Sequence, residues 1–404
     1  MNTEALRIVF ASHSHMAGPF VVGSHHLARE LAHRGHHVAH VSMPVTLFHL
    51  MGGSTVNLRL RFGNYFHGGL WREENLFEYV PFAFVPWQLA KYVKSPRSLF
   101  SYCFPSVRSV LKRAGFSVVD ALIVDAPQMY FAAELLGPRA VIYRATDLYE
   151  EMTGDPWVAL AERRIAAQSG LLIGTSEPVL AHLRGLAPFT RAILMENGVE
   201  LNHFSHPTEA PIEYRNSCRA RAIYVGAVDA RLDIETLKKV ASAVKETEVM
   251  IVGPLDQAQK KALERESNLL VLGARPYSAL PRYLQHASLG LLPLSDHPAN
   301  RGRSPMKLYE YAAAGLPVVA TETEELKRRN LPFVLLARSE DEFVSNVRRL
   351  VTDPHLYRSL RDAALMAAVE HSWVALGGQL EQDVQRLLTR DSEPNQTALA
   401  ARVA

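Results

Sequence analysis

Cysteine is nearly missing from this chain. Cys103 and Cys218 are the only two in 404 residues. They stand far apart at no zinc or redox spacing, so a reduced, cytoplasmic setting is expected and a disulfide framework is not. Long apolar runs are also missing, and none approaches the ~20 residues a spanning helix needs. The opening MNTEALRIVFASHSH has no basic region, apolar core or small-residue cleavage site, so neither secretion nor membrane integration is expected. An excess of one charge is lacking too. Forty-four Lys and Arg against 41 Asp and Glu leave +3, too little to argue for nucleic acid. No G-x-x-x-x-G-K-[ST] occurs, and the loop Gly18-Pro-Phe-Val-Val-Gly23-Ser24 is not G-x-G-x-x-G, which argues against ATP-driven and nicotinamide chemistry. A hydrophobic share of 48% with 21% charged residues excludes a disordered or fibrous chain. The length favours two domains over one.

Short β-like runs alternate with helical stretches almost from end to end, the pattern of βαβ units and parallel sheets. Strands are expected at 6–11, 37–42, 121–124, 140–143 and 171–174, with a helix over 23–34 closed by Gly35. The stretch 202–216 is rich in Pro, Ser, Thr and Asn and reads as a linker. A second series follows at 221–225, 248–252, 269–272, 289–293, 317–320 and 333–336. Asp233 and the Ser304-Pro305 pair stand where helices should begin. The fold expected is α/β, with two Rossmann-like doubly wound domains facing a central cleft. The domain bounds expected are 1–204 and 205–372, a last helix over 373–390 crossing back, and a tail over 391–404.

The strongest constellation is Arg301-Gly-Arg-Ser-Pro-Met-Lys-Leu-Tyr-Glu310 running into Gly315-Leu-Pro317. Arg303, Lys307 and Glu310 share one face by i, i+3 and i+4 spacing, at the carboxyl end of the strand over 289–293, where doubly wound sheets bind ligands. A helix N-terminus backed by two cations is a phosphate site, and Glu310 one turn deeper could accept from ribose hydroxyls. The alternative is a charged surface face. Asp147 follows the strand over 140–143 and should project from its sheet, as a general base or as a cap for the helix begun by Leu148-Tyr149-Glu150. Glu150 and Glu151 are weaker candidates for the base. Arg144 beside it could keep that carboxylate ionised or bind an acidic sugar. Nine histidines crowd the first fifty residues without a metal-ligand spacing, so no metal site is expected. His13, His15, His25 and His26 border the cleft as acceptor contacts or an alternative base.

The run Ser304-Pro-Met-Lys-Leu-Tyr-Glu-Tyr-Ala-Ala-Ala-Gly-Leu-Pro-Val-Val-Ala320 resembles the donor-site helix of GT-B glycosyltransferases. Tyr224-Val-Gly-Ala-Val228 with Asp233 after it, Leu272-Gly-Ala-Arg-Pro-Tyr277 and Asn197-Gly-Val199 with Phe204 downstream resemble further family segments in the family's order. The likeness is greatest to bacterial exopolysaccharide-assembly transferases such as the xanthan glucuronosyltransferase, whose Tyr-Arg-Ala-Ser-Asp run is similar to Tyr143-Arg-Ala-Thr-Asp147.

The resemblance implies a metal-independent hexosyl transfer without cofactor, from a nucleoside-diphosphate sugar, UDP-hexose or UDP-glucuronate foremost, to a carbohydrate hydroxyl. Asp147 becomes the base of an inverting reaction. Gly226, Arg303, Ser304, Met306, Lys307 and Glu310 become donor contacts, with Met306 and Lys307 touching base and pyrophosphate. Gly23, His25, His26 and Arg144 become acceptor or sugar contacts. Gly302 stands eight residues before Glu310, where the large retaining family has a second Glu, so a retaining outcome is the alternative. A nucleotide-sugar epimerase and a non-catalytic carbohydrate-binding partner are the other readings.

Residues 54–100 break the alternation. They carry eleven aromatics, and from Arg59 to Arg113 nine basic residues face three acidic ones. Such a segment is either an insert packed on the core or a surface meeting anionic lipid, which would bring the protein to the inner face of the membrane and to a lipid-linked acceptor.

Overall fold

The computed structural model describes residues 4–18, 21–51, 55–85, 103–214 and 219–390. The chain divides into two compact units. The first takes the residues up to Thr175, Val179–Met195 and those from Leu376 on; the second takes Ser176–Pro178 and Glu196–Ala375.

The first unit is built on a sheet of strands β1 (Arg7–Ser12), β2 (His37–Ser42), β3 (Leu70–Glu73), β4 (Leu76–Tyr79), β5 (Ala121–Val124), β6 (Ala140–Ala145), β7 (Leu171–Gly174) and β8 (Arg191–Leu194). Among the described residues their order is β3-β4-β2-β1-β5-β6-β7-β8. Every pairing is parallel except β3 with β4. The strands read as unbroken apolar runs such as Ala121-Leu-Ile-Val124, because crossover helices cover both faces of a parallel sheet. Strand order reverses between β1 and β5, the position at which such sheets open for ligands.

The segment that lacks a clean period supplies real elements in its described part. Residues Thr55–Phe66 are helical, and β3 and β4 form a hairpin that widens the sheet. Phe77, Tyr79 and Phe82 are buried there, while Phe66, Trp71 and Phe84 are more than half exposed. Two of its cations serve the interior: Arg61 donates to the Met43 carbonyl at 2.8 Å, and Arg72 pairs with the buried Glu78. Trp87, Tyr92, Phe100, Lys91, Lys94 and Arg97 lie outside the described residues.

The second unit carries β9 (Ala220–Val225), β10 (Thr247–Val252), β11 (Leu269–Gly273), β12 (Leu289–Leu292), β13 (Val318–Thr321) and β14 (Val334–Ala337). Their order is β11-β10-β9-β12-β13-β14, all parallel. One core packs on each face, around Leu308, Tyr309 and Phe333 on one side and Leu237, Ile251 and Phe343 on the other. Phe204 and Tyr214, in the stretch with linker composition, are buried in the first of these cores. The final helix, Trp373–Arg390, starts in the second unit and continues in the first, where Leu380 and Val384 are buried.

Candidate functional site

In the second unit the site forms where β9 and β12 part. They pair only over Leu289 with Ala222 and Gly290 with Ile223. Beyond that point the Val225 amide, left without a strand partner, donates to the Tyr311 hydroxyl at 2.8 Å. The Tyr311 ring fits because residue 290 is glycine; a Cβ there would come within 2.4 Å of the ring. Tyr311 belongs to the helix Met306–Ala313, so this wedge fixes that helix against the carboxyl end of the sheet. From its other side Tyr309 donates to Glu196, whose carboxylate also meets Arg329 at 3.3 Å.

The helix begins at Met306, with Pro305 as N-cap rather than as its first helical residue. Arg303 therefore reaches the site from the preceding loop and not from the helix face. Ser304 is buried and holds the Asn197-Gly198 turn in place. Its hydroxyl accepts from the Asn197 amide at 3.1 Å, and its carbonyl accepts from the Asn197 side chain at 2.9 Å. Met306 is half-buried.

Lys307 lies over Gly226. A Cβ on Gly226 would sit 2.4 Å from Lys307 Cε and 2.8 Å from the Tyr224 hydroxyl. Gly226 in turn stacks on Gly253 at the end of β10, where a Cβ would overlap the Gly226 carbonyl at 1.8 Å. Two strand ends without side chains thus leave room for the lysine stem and for a ligand's approach to backbone. Burial, helped by the Arg303 charge, holds the Lys307 ammonium down to about 8, with Glu310 opposing. Burial pushes the Glu310 carboxyl up, with Lys307 opposing. In the loop after β9, Asp229 is held at about 2, chiefly by its paired hydrogen bonds from Arg231. The site is thus a recess around Lys307 and Arg303, with Glu310 one turn deeper and the Asp229–Arg231 pair close enough to act on the ammonium. An anion with hydroxyls beside it would satisfy both Lys307 and Glu310.

In the first unit, polar groups gather at the carboxyl ends of β1, β5 and β6. Asp147, two residues past β6, is half-buried and accepts from the Thr146 hydroxyl at 3.0 Å. It does not cap the following helix, Tyr149–Thr153, whose N-cap is Leu148 with no side-chain hydrogen bond. Glu150 and Glu151 are exposed on that helix.

Arg144 is fully buried and points to Asp125, at 3.6 Å from its carboxylate. Gly23 and His26 are buried in the first turn of the helix Gly23–His33. His25 is fully buried there as well; its Nε2 lies 3.2 Å from the Ser14 hydroxyl and 3.3 Å from the Ser14 carbonyl. Burial holds its imidazole down to about 4. His25 therefore ties down the loop after β1 as a neutral ring. His13 leaves part of its surface open, but its ring packs on Tyr149, with Nε2 3.2 Å from the hydroxyl, and burial of the ring holds its imidazole down to about 4 as well.

Several residues that shape these sites escaped the sequence reading. Glu78 on β4 is fully buried and accepts from the Met16 amide in the β1 loop, from Asn64 at 3.2 Å and from Arg72. Nothing in the sequence marks it, since its role depends on sheet order. Tyr149 and Tyr311 stand inside quoted runs without a role of their own, and it is the hydroxyl of each that matters. Gly253 could have been found as the second glycine to end a strand beside Gly226. Among the described residues no group of three or more His, Cys, Asp or Glu could hold a metal ion. No helix there is long and apolar enough to cross a membrane.

Comparison with known proteins agrees with this geometry. Residues 219–353, which include the whole Lys307 recess, match the family described as "Glycosyl transferases group 1". The fold is that of GT-B glycosyltransferases. Sucrose-phosphate synthase from Thermosynechococcus elongatus superimposes with a TM-score of 0.69 at 16% identity, over 95% of this chain and all of that one. HepE from Anabaena, solved in complex with UDP and glucose, gives 0.67 at 13% identity, over 94% of this chain and 100% of its own. A putative teichuronic acid biosynthesis glycosyltransferase of Bacillus subtilis, TuaH, is 28% identical over 145 residues, which is 35% of this chain and 36% of the relative. That match thus spans about a third of each protein. The chain carries a glycosyltransferase group 1 domain within a GT-B fold.

Proposed function

We propose that this protein is a metal-independent glycosyltransferase that moves a sugar from a nucleoside diphosphate, UDP foremost, to a carbohydrate hydroxyl with inversion. The observation that carries this reading is Lys307 held over Gly226 beside Arg303 and Glu310. Departure of a nucleoside diphosphate develops negative charge on its terminal phosphate, and fixed cations in a recess stabilise that charge without reorganisation. Glu310 fits the ribose hydroxyls. That HepE was solved with UDP and glucose supports UDP as the carrier, and a relative named for teichuronic acid biosynthesis supports a polysaccharide acceptor.

Asp147 is the base. As the acceptor oxygen bonds to the anomeric carbon, its proton passes to the Asp147 carboxylate. The bond from that carbon to the phosphate oxygen breaks, and the diphosphate leaves with the electron pair. Asp147 suits this role because it ends a central strand, stays half-open and caps no helix. For Gly23, His25, His26 and Arg144 we propose support of the acceptor side through the β1 loop and the Asp125 pair rather than direct sugar contact.

Calorimetric titration with UDP, GDP, ADP and dTDP tests the donor half; UDP should bind tightest. Lys307→Ala should weaken UDP binding by about 1–3 kcal/mol, the range for a hydrogen bond to a charged group. Asp147→Ala should abolish transfer and leave UDP affinity intact; equal loss of both would make Asp147 structural. Contact with anionic lipid through 54–100 remains part of the proposal, supported by the exposed Phe66, Trp71 and Phe84. With Arg61 and Arg72 turned inward it rests more on aromatic rings than on charge. Vesicle flotation at low and high salt tests it.

A further inference from the structure

The Tyr149 hydroxyl is the centre of a buried hydrogen-bond network that no step above requires. Tyr149 is 2% exposed, and its oxygen lies 2.8 Å from Thr146 Oγ1, 3.0 Å from the Asp125 carbonyl and 3.2 Å from His13 Nε2. Thr146 Oγ1 is also 3.0 Å from Asp147 Oδ2. The proton inventory sets the direction of these bonds. An ionised carboxylate only accepts, so the single Thr146 hydroxyl hydrogen goes to Asp147. Tyr149 then receives nothing from Thr146. Its single hydrogen has two acceptors, Thr146 Oγ1 at 2.8 Å and the Asp125 carbonyl at 3.0 Å, and the nearer one takes it, since otherwise two lone pairs would face each other across the 2.8 Å contact. The Tyr149 oxygen accepts from His13 in the tautomer that carries the ring hydrogen on Nε2, the tautomer the chain requires.

We propose that Thr146 and Tyr149 are positioning residues that hold the Asp147 carboxylate ionised and in one rotamer, through a one-way chain of donors from His13 to Tyr149 to Thr146 to Asp147. The inference rests on the reading of Asp147 as base. Each donor polarises the next, and in a low-dielectric setting such a chain favours the charged acceptor at its end. The Thr146 backbone is fixed as well, because its carbonyl accepts from the Thr175 hydroxyl at 3.0 Å. Titratable and charged groups face the network from several elements, His13 among them as a neutral ring. His13 comes from the loop after β1, Asp125 from the loop after β5 and Arg144 from β6, with Glu150 and Glu151 on the helix. Asp125 and Arg144 pair with each other at 3.6 Å.

The experiment follows Asp147 directly. Carbon-13 NMR of the full chain, labelled at Asp carboxyl carbons and with Asp147→Asn to assign the signal, gives its titration without any substrate. In Thr146→Val and Tyr149→Phe, which keep size and shape, Asp147 should titrate higher by about half to one pH unit. Thr146→Ser should restore the wild-type curve, because it returns the hydroxyl. UDP release from UDP-glucose and UDP-glucuronate, with octyl glucoside as acceptor, should fall roughly ten-fold in the two variants, the size of one charged hydrogen bond. UDP affinity and thermal midpoint should change little. An unshifted Asp147 titration in both variants, or a Thr146→Ser curve as shifted as that of Thr146→Val, overturns the proposal. If Asp147→Asn still turns over donor at the wild-type rate, the base assignment fails and takes this inference with it. An inactive Asp147→Asn with unshifted Thr146→Val and Tyr149→Phe sinks the chain alone.

Discussion

At Gly226 a single hydrogen atom decides whether Lys307 can occupy its place. With the lysine stem 2.4 Å from where a Cβ would stand, Gly226→Ala must displace the ammonium or close the recess. The stem is flexible and can move, but the Gly226 backbone, at φ 154°, is one that a side chain rarely adopts, at a cost of about 1–3 kcal/mol. UDP affinity should fall about as far as in Lys307→Ala and the thermal midpoint should fall with it; paired calorimetry and melting measurements check both. The pH dependence is also set at this scale. Lys307 titrates near 8 in the free protein, and a bound diphosphate would raise that value. Binding then takes up a proton between about pH 8 and 10, and affinity falls through that window as pH rises. A calorimetric proton count at pH 9 that comes to zero would contradict the assignment.

The helix Met306–Ala313 owes its position to Tyr311 and not to pairing of its own backbone. Its hydroxyl satisfies the Val225 amide where β9 loses β12. Tyr311→Phe would leave that buried N–H unpaired, at a cost of about 1–3 kcal/mol. The same change frees the helix to shift against the sheet. Denaturant unfolding should show the loss, and UDP affinity should weaken even though Tyr311 faces the core. The hairpin of β3 and β4 matters in a related way. It carries Glu78 to the β1 loop, so an added edge element shapes a loop near the centre of the sheet.

The balance of buried titratable groups makes the first unit sensitive to acid. Burial pushes His25 to about 4, His40 well below the ordinary value of 6.5, and His15 down as well. Each binds a proton more readily unfolded than folded. Their contribution is complete above about pH 6.5 and is lost as pH falls below it. Asp125 acts in the opposite sense, since burial raises it to about 6; between about pH 6 and 4 its protonation favours the folded state. His25 and Asp125, each worth about 3 kcal/mol over its window, nearly cancel. The remaining lowered imidazoles set the net sign: His13, held down to about 4, His15, and His40, which is fully buried with neither ring nitrogen meeting a partner among the described residues. Below pH 6.5 the thermal midpoint should drop by roughly 3–5 °C per pH unit. His40→Leu should flatten that drop; an unchanged slope in the variant would place the acid sensitivity elsewhere.

The sequence by itself determined the alternation of strands and helices, the two largely parallel sheets and the helix that carries Lys307 and Glu310. Those signals are local: an apolar run such as Leu171–Gly174 is hydrophobic because both faces of its strand are covered, and it reads so in any context. The cluster proposed to hold the donor stood out for the same reason, since Arg303, Ser304, Met306, Lys307 and Glu310 lie within one short segment. Strands that read as alternating or charged were not legible. Leu70–Glu73 and Leu76–Tyr79 bury Glu78 in a sheet, which composition alone argues against. Only the tertiary structure decided which polar side chains support and which stay open. Arg144 and Asp147 sit three residues apart on one strand end, yet one is sealed against Asp125 and the other stays half-open on a threonine. That difference depends on which strand lies alongside. Strand order is a long-range property set by burying the most apolar surface, and no spacing in the chain records it.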